Sequence, residues 1–156
     1  MVQEEVRTHT AVHVLKGAVQ RVLGAQLTAS TRVSGRQGVL TVRFGRRPAE
    51  EELRRVEEAA NAKVVEGAEV LEFEMEKSEA EMHFGDGIYD LFAVPTSVTM
   101  LKLVKIPEWD VACCGERHVE STSLVGPVKV SRARFRNSKK ELEVDFELVD
   151  LTAWNR

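Results

Sequence analysis

Hydrophobic residues recur at helical spacing in two stretches of this chain and alternate with polar ones in most of the rest. Val12, Leu15, Val19, Val22 and Leu23 fall three and four apart, the period of a helix that buries one face. That helix is expected to start at Thr8, whose side-chain oxygen suits a cap, and to stop at Gly24, which accepts a left-handed backbone. Leu53, Val56, Ala60 and Val64 repeat the pattern in a highly charged stretch from Ala49 to Val65, opened by Pro48. Between the two helices, Gln26 to Ser34 and Val39 to Gly45 alternate in character. Gly35-Arg36-Gln37-Gly38 joins them as a hairpin turn.

The second half reads mainly as strands. Glu69 to Glu76 alternates, with Val70, Leu71 and Phe73 as its apolar members. Ser78 is expected to open a short helix, because Ser78-Glu79-Ala80-Glu81 is close to a capping box, and Gly85 to end it. Thr99 to Ile106 is an apolar run suited to a buried strand. Val128 to Phe135 and Leu142 to Leu151 form a last pair around Asn137-Ser138-Lys139-Lys140. No repeat or long linker divides the chain. This order predicts an α+β fold with a mainly antiparallel sheet and flanking helices, in one domain over residues 1–156.

Composition narrows the classes. Hydrophobic residues make up 43% and charged residues 30% of 156, enough for a buried core and unlike a disordered chain. A net charge of -3 gives no overall attraction for nucleic acid, so any RNA contact must be a local basic patch. Arg132, Arg134, Arg136, Lys139 and Lys140 form such a patch with Lys129 in the last hairpin, and Arg43, Arg46 and Arg47 follow the first. No basic start precedes an apolar run, and no stretch approaches the ~20 apolar residues of a membrane span. A cytoplasmic protein with no membrane partner is expected.

The scarce residues carry the chemistry. Of four histidines and two cysteines, His9 and His13 stand four apart, and so do Cys114 and His118. Imidazole nitrogen and thiolate sulfur are zinc's preferred donors, and this spacing sets two of them on one helix face. Each pair alone is incomplete. Together they predict one Zn2+ per chain, bound by all four residues or by three of them. Adjacent cysteines make a poor structural disulfide, so Cys114 reads as a ligand or nucleophile, Cys113 as a small buried residue and His83 as a surface or packing residue. Four protein ligands describe a closed structural site, whereas catalytic zinc keeps a position for water. No Glu lies between the first two histidines as in His-Glu-x-x-His, which argues against a zinc-protease type of site.

Arg7-Thr8-His9-Thr10-Ala11-Val12-His13 resembles the His-x-x-x-His helix of the alanyl-tRNA synthetase editing domain. Cys114-Gly115-Glu116-Arg117-His118 resembles its partner motif, usually written Cys-Gly-Gly-Thr-His. Similar segments recur at Gly38 to Phe44, Val56 to Asn61 and Gly126 to Val130, so the resemblance covers essentially the whole chain. With no room for an aminoacylation domain, the chain is similar to the short freestanding alanyl-tRNA editing proteins, the AlaX family. That resemblance implies hydrolysis of the ester on wrongly charged alanine tRNA, bearing chiefly serine and also glycine, with the mischarged acceptor end as partner. A pocket built for alanine rejects these weakly, so a second hydrolytic site is needed. The resemblance also matches Thr28 to a threonine that senses the serine hydroxyl. The Gly-Glu-Arg spacer departs from the family pattern and puts in question a close backbone approach to the terminal adenosine. A threonyl-tRNA editor of the same fold and a non-catalytic zinc-stapled tRNA-binding module are the alternatives.

Overall fold

In the computed structural model, which describes residues 3–90 and 94–150, the expected α+β arrangement is present as three helices and two antiparallel sheets. The first helix, α1, runs Gln3–Leu23. It begins before the expected cap because Glu4 and Glu5 supply negative charge to its first turn. Thr8 therefore lies inside it, fully buried, with its hydroxyl 2.9 Å from Glu4 O and 2.7 Å from Gly35 O. Strands β1 (Thr28–Ser34) and β2 (Gln37–Arg43) form the first hairpin. Its turn is tighter than expected, because Gly35 adopts φ 59° and Ser34 already pairs with Gln37. Helix α2 (Glu50–Glu66) follows Pro48 as the spacing of its apolar residues predicts, and ends at left-handed Gly67.

Next come β3 (Leu71–Glu76) and α3 (Lys77–Phe84). Glu69 does not join β3; it makes an isolated bridge to Ser121. Val70 is buried but Leu71 is 41% exposed. Ser78 does not cap α3, since Glu76 holds the cap position and the Ser78 hydroxyl donates to Glu76 Oε1 at 2.9 Å. Strands β4 (Met100–Ile106), β5 (Asp110–Cys113), β6 (Val128–Arg136) and β7 (Glu141–Leu148) complete the fold. The expected end of the last strand, Leu151, lies outside the described residues.

The larger sheet has the order β1-β2-β7-β6 and the smaller β3-β4-β5. Strand β7 shows why the first holds together: Leu142, Val144, Phe146 and Leu148 point into the core, while the acidic residues between them face out. Helices α1 and α2 cover that core, placing Leu15, Val19, Val56 and Ala60 against Leu40 and Phe146. Gly38 admits the Phe146 ring, because a Cβ there would meet Cζ at 2.4 Å. A second, smaller core joins Ala80, Ile88 and Tyr89 to Leu101 and Leu103. Strand β4 serves both, since Val104 and Ile106 turn toward the main core. Among the described residues no helix is long and apolar enough to cross a membrane.

Trp109 fixes the smaller sheet on α1. Its indole N–H donates to Val14 O at 2.9 Å, and its ring lies so close to Gly17 that a Cβ there would meet Nε1 at 2.2 Å. The Arg21 guanidinium lies 4.2 Å from the ring centroid and donates to Trp109 O at 3.0 Å. The next residue is Asp110, so this clamp decides what β5 presents to the helix.

Candidate metal centre

Three of the four scarce donors converge. One ligand atom each from His13, Cys114 and His118 lies within 4.8 Å of the other two. Cys114 Sγ is 3.5 Å from His118 Nε2, and the two imidazole centroids are 5.0 Å apart at 65°. His13 comes from the middle of α1. Cys114 and His118 belong to the segment after β5, which is not helical, so their spacing acts through a loop rather than along a helix face. Two hydrogen bonds seat that loop: Cys114 N–H donates to Lys102 O at 2.9 Å, and Val119 N–H donates to Thr10 Oγ1 at 2.9 Å.

His9, one turn before His13, is outside the trio; its Nε2 lies 3.5 Å from Glu116 Oε1. Glu116 is one of the residues by which the spacer departs from Gly-Gly-Thr.

Each histidine of the trio has a carboxylate behind it. His13 Nδ1 is 3.0 Å from Asp110 Oδ2, with both side chains 4% exposed. His118 Nδ1 is 2.7 Å from Glu72 Oε2, and its ring is fully buried. A proton on each Nδ1 satisfies the carboxylate and leaves each Nε2 with a free lone pair, the form a metal requires. Burial pushes the His13 pKa down, against the pull of Asp110. Burial, then repulsion from His13, holds His118 at about 4 despite Glu72. Both rings are thus neutral near pH 7. Burial raises the Cys114 thiol pKa, and a bound cation reverses that by taking up the thiolate. Two imidazoles and one thiolate suit zinc, a borderline-soft ion that accepts nitrogen and sulfur in one tetrahedron.

Asp110 and Glu72 were not singled out by the sequence. Asp110 did leave a signal, because it shares the inward face of β5 with buried Ala112, where a carboxylate needs a partner. Glu72 left none, being one of three alternating glutamates in β3.

The other expected site residues are not among the three donors. Thr28 is buried at the start of β1, where the register with β2 shifts. Arg132, Arg134 and Arg136 line β6 opposite the acids of β7. Arg132 pairs with Asp145 at 3.7 Å, while Arg134 and Arg136 each reach Glu143 at 3.0 Å. Lys139 and Lys140 are exposed in the β6–β7 turn. A groove of about 230 Å³ borders the trio at Cys114, lined also by Glu72, Phe73, Lys102 and Arg117.

No protein-family model matches the chain. Over 130 residues it is 38% identical to the alanine–tRNA ligase of Pyrococcus abyssi, and likewise to that of Thermococcus kodakarensis. Over 126 residues it is 36% identical to the alanine–tRNA ligase of Saccharolobus islandicus. These matches take in 80 to 83% of this chain but 14% of each ligase. The chain thus spans a small fraction of the length of the curated relatives it matches. It is related to alanine–tRNA ligases through one segment of them, the relationship its two spaced motifs resemble.

Proposed function

We propose that the chain hydrolyses the ester joining a wrong amino acid to alanine tRNA, chiefly serine and also glycine, at the mischarged acceptor end in the cytoplasm. The observation that carries this reading is the trio itself: two imidazoles and a thiol within 4.8 Å, with a carboxylate on Nδ1 of each imidazole. His13, Cys114 and His118 would hold one zinc ion, and His9, one turn before His13 and outside that set, would leave open the position that catalysis needs. Bound zinc supplies a Lewis acid beside the ester carbonyl. Asp110 and Glu72 keep the two rings in the donor tautomer and fix their orientation. In the reaction, water adds to the carbonyl carbon and the bond to the ribose oxygen breaks. That oxygen leaves with a proton, giving free amino acid and uncharged tRNA.

Discrimination against alanine needs a group that hydrogen-bonds the serine hydroxyl, and buried Thr28 is the residue for it. The RNA surface rests on Lys139 and Lys140, which have no carboxylate partner among the described residues, more than on the paired arginines of β6.

Alanine tRNA charged with serine, glycine or alanine provides the test, with and without a zinc chelator. Chelator-sensitive loss of serine, with alanine spared, is expected; loss of glycine as well would show that a feature besides Thr28 excludes the alanine methyl. Equal persistence of all three esters on zinc-loaded protein would remove the reading.

A further inference from the structure

Beside the three donors lies a second charged pair that the proposed reaction leaves unused. Lys16 follows His13 by three residues on α1, so both side chains leave the same flank of the helix. Its side chain is only 9% exposed, and Nζ lies 3.4 Å from Oδ1 of Asp90, whose carboxylate is 45% exposed. A lysine is rarely buried so deeply without a partner, and Asp90 is the one carboxylate that reaches it among the described residues. Asp90 is presented from an anchored segment. Ile88 and Tyr89 before it are buried, and the Tyr89 hydroxyl donates to Glu81 Oε2 at 2.6 Å. Lys16 thus brings Asp90 to the flank of α1 that carries His13, one helix turn from that donor.

We propose that Asp90 receives the α-ammonium of the aminoacyl ester and that Lys16 holds its carboxylate in place. This rests on the deacylase reading above and deepens it. In an aminoacyl ester the amino group is bonded to the carbon next to the carbonyl. A carboxylate held beside α1 one helix turn from His13 is therefore placed to meet the ammonium when the carbonyl lies at the donors. Lys16 occupies one oxygen from the buried side, and the exposed side of Asp90 stays open to a cationic ligand. Asp90 is then a specificity-determining residue, Lys16 a positioning residue. The pair selects aminoacyl esters as a class and does not rank serine against glycine, since both carry the ammonium.

The test compares seryl-tRNA(Ala) with N-acetylseryl-tRNA(Ala) on the zinc-loaded protein and its Asp90→Asn, Asp90→Glu and Lys16→Arg variants. A calorimetric comparison of the amide-linked seryl and N-acetylseryl adenosines runs beside it, because these analogues bind without reacting. Wild type is expected to prefer the free amine by about tenfold or more, through KM and through analogue affinity, as befits one charge-assisted hydrogen bond. Asp90→Asn should bring that ratio close to one, and Asp90→Glu or Lys16→Arg should restore part of it. A preference that survives in Asp90→Asn would show that the pair only staples the segment to α1. Equal hydrolysis of both esters by wild type would overturn the proposal and leave the deacylase reading standing. Hydrolysis of neither, with equal binding of both analogues, would overturn both. Should Asp90→Asn fail to fold, the analogue ratio on wild type decides.

Discussion

Asp110 matters through a single hydrogen bond. It holds the His13 ring from behind at 3.0 Å in a place where water cannot substitute. Asp110→Asn keeps the shape but offers an amide that holds the wrong tautomer as readily as the right one. Zinc affinity should fall about 10- to 100-fold, as measured by competition with a fluorescent chelator. An unchanged affinity would mean that Asp110 is only a packing residue. Proton linkage at the same rings gives a second expectation. His13 and His118 have folded pKa values below their ordinary 6.5, with His118 near 4. The unfolded chain therefore binds protons that the folded one refuses. Stability of the metal-free protein is full above pH 6.5 and is lost as pH falls toward 4. Urea midpoints at pH 7.5 and 5, at equal salt, should show that drop; a midpoint that rises on acidification would contradict it. His13, Cys114 and His118, three of the four expected donors, were legible in the sequence, because rare residues at matched spacing stand out, whereas the spacing that also named His9 does not tell that it lies against Glu116. Their carboxylate partners were harder to see, since glutamates and aspartates are abundant and their burial is decided by distant segments.

At the level of elements, the two motifs reach each other because β5 is clamped onto α1. Gly17 makes room for the Trp109 indole, and Asp110 follows directly. Gly17→Ala should push the indole off the helix and cost about 1–3 kcal/mol of stability, because the ring is bonded to Val14 O and has little freedom to yield. It should also weaken zinc binding, by displacing Asp110 from His13. Chemical denaturation and zinc competition on the same variant check both effects, and loss of stability with unaltered zinc affinity would uncouple clamp from centre. The strand pattern also revises the basic patch. Reversing charge at Arg134 and Arg136 sets four acids of β6 and β7 against one another and should destabilise the protein, with little change in the salt dependence of RNA binding. A clearly flattened salt slope would restore the patch as an RNA surface. Most elements were readable from periodicity, the β1–β2 hairpin and α2 most clearly. The start of α1 was not, because Thr8 has the chemistry of a cap and is used instead to tie the helix to Gly35 O across the fold.

For the whole molecule, the centre lies where the two cores meet. His13 belongs to the helix that covers the larger sheet, whereas Cys114 and His118 follow the last strand of the smaller one. An ion held by all three ties the larger body to the smaller. Zinc at about a thousand times its dissociation constant should raise stability by roughly 4 kcal/mol, and a chelator should remove that gain. Thermal unfolding with zinc and with chelator measures it; coincident curves would show that no ion binds the native state. This meeting of two sheets could not be seen along the chain, where His13 and Cys114 are separated by most of the sequence.

The bond from Val119 N–H to Thr10 Oγ1 has a consequence of a different kind. It joins the loop carrying His118 to the helix turn between His9 and His13, using groups that no ion touches. The separation of the donors is thus largely set before loading, and little chain entropy remains to be lost when the ion arrives. Loading of a metal would then resemble filling a rigid socket more than folding a zinc finger, and its heat-capacity change would be governed by dehydration of the ion and not by burial of new apolar surface.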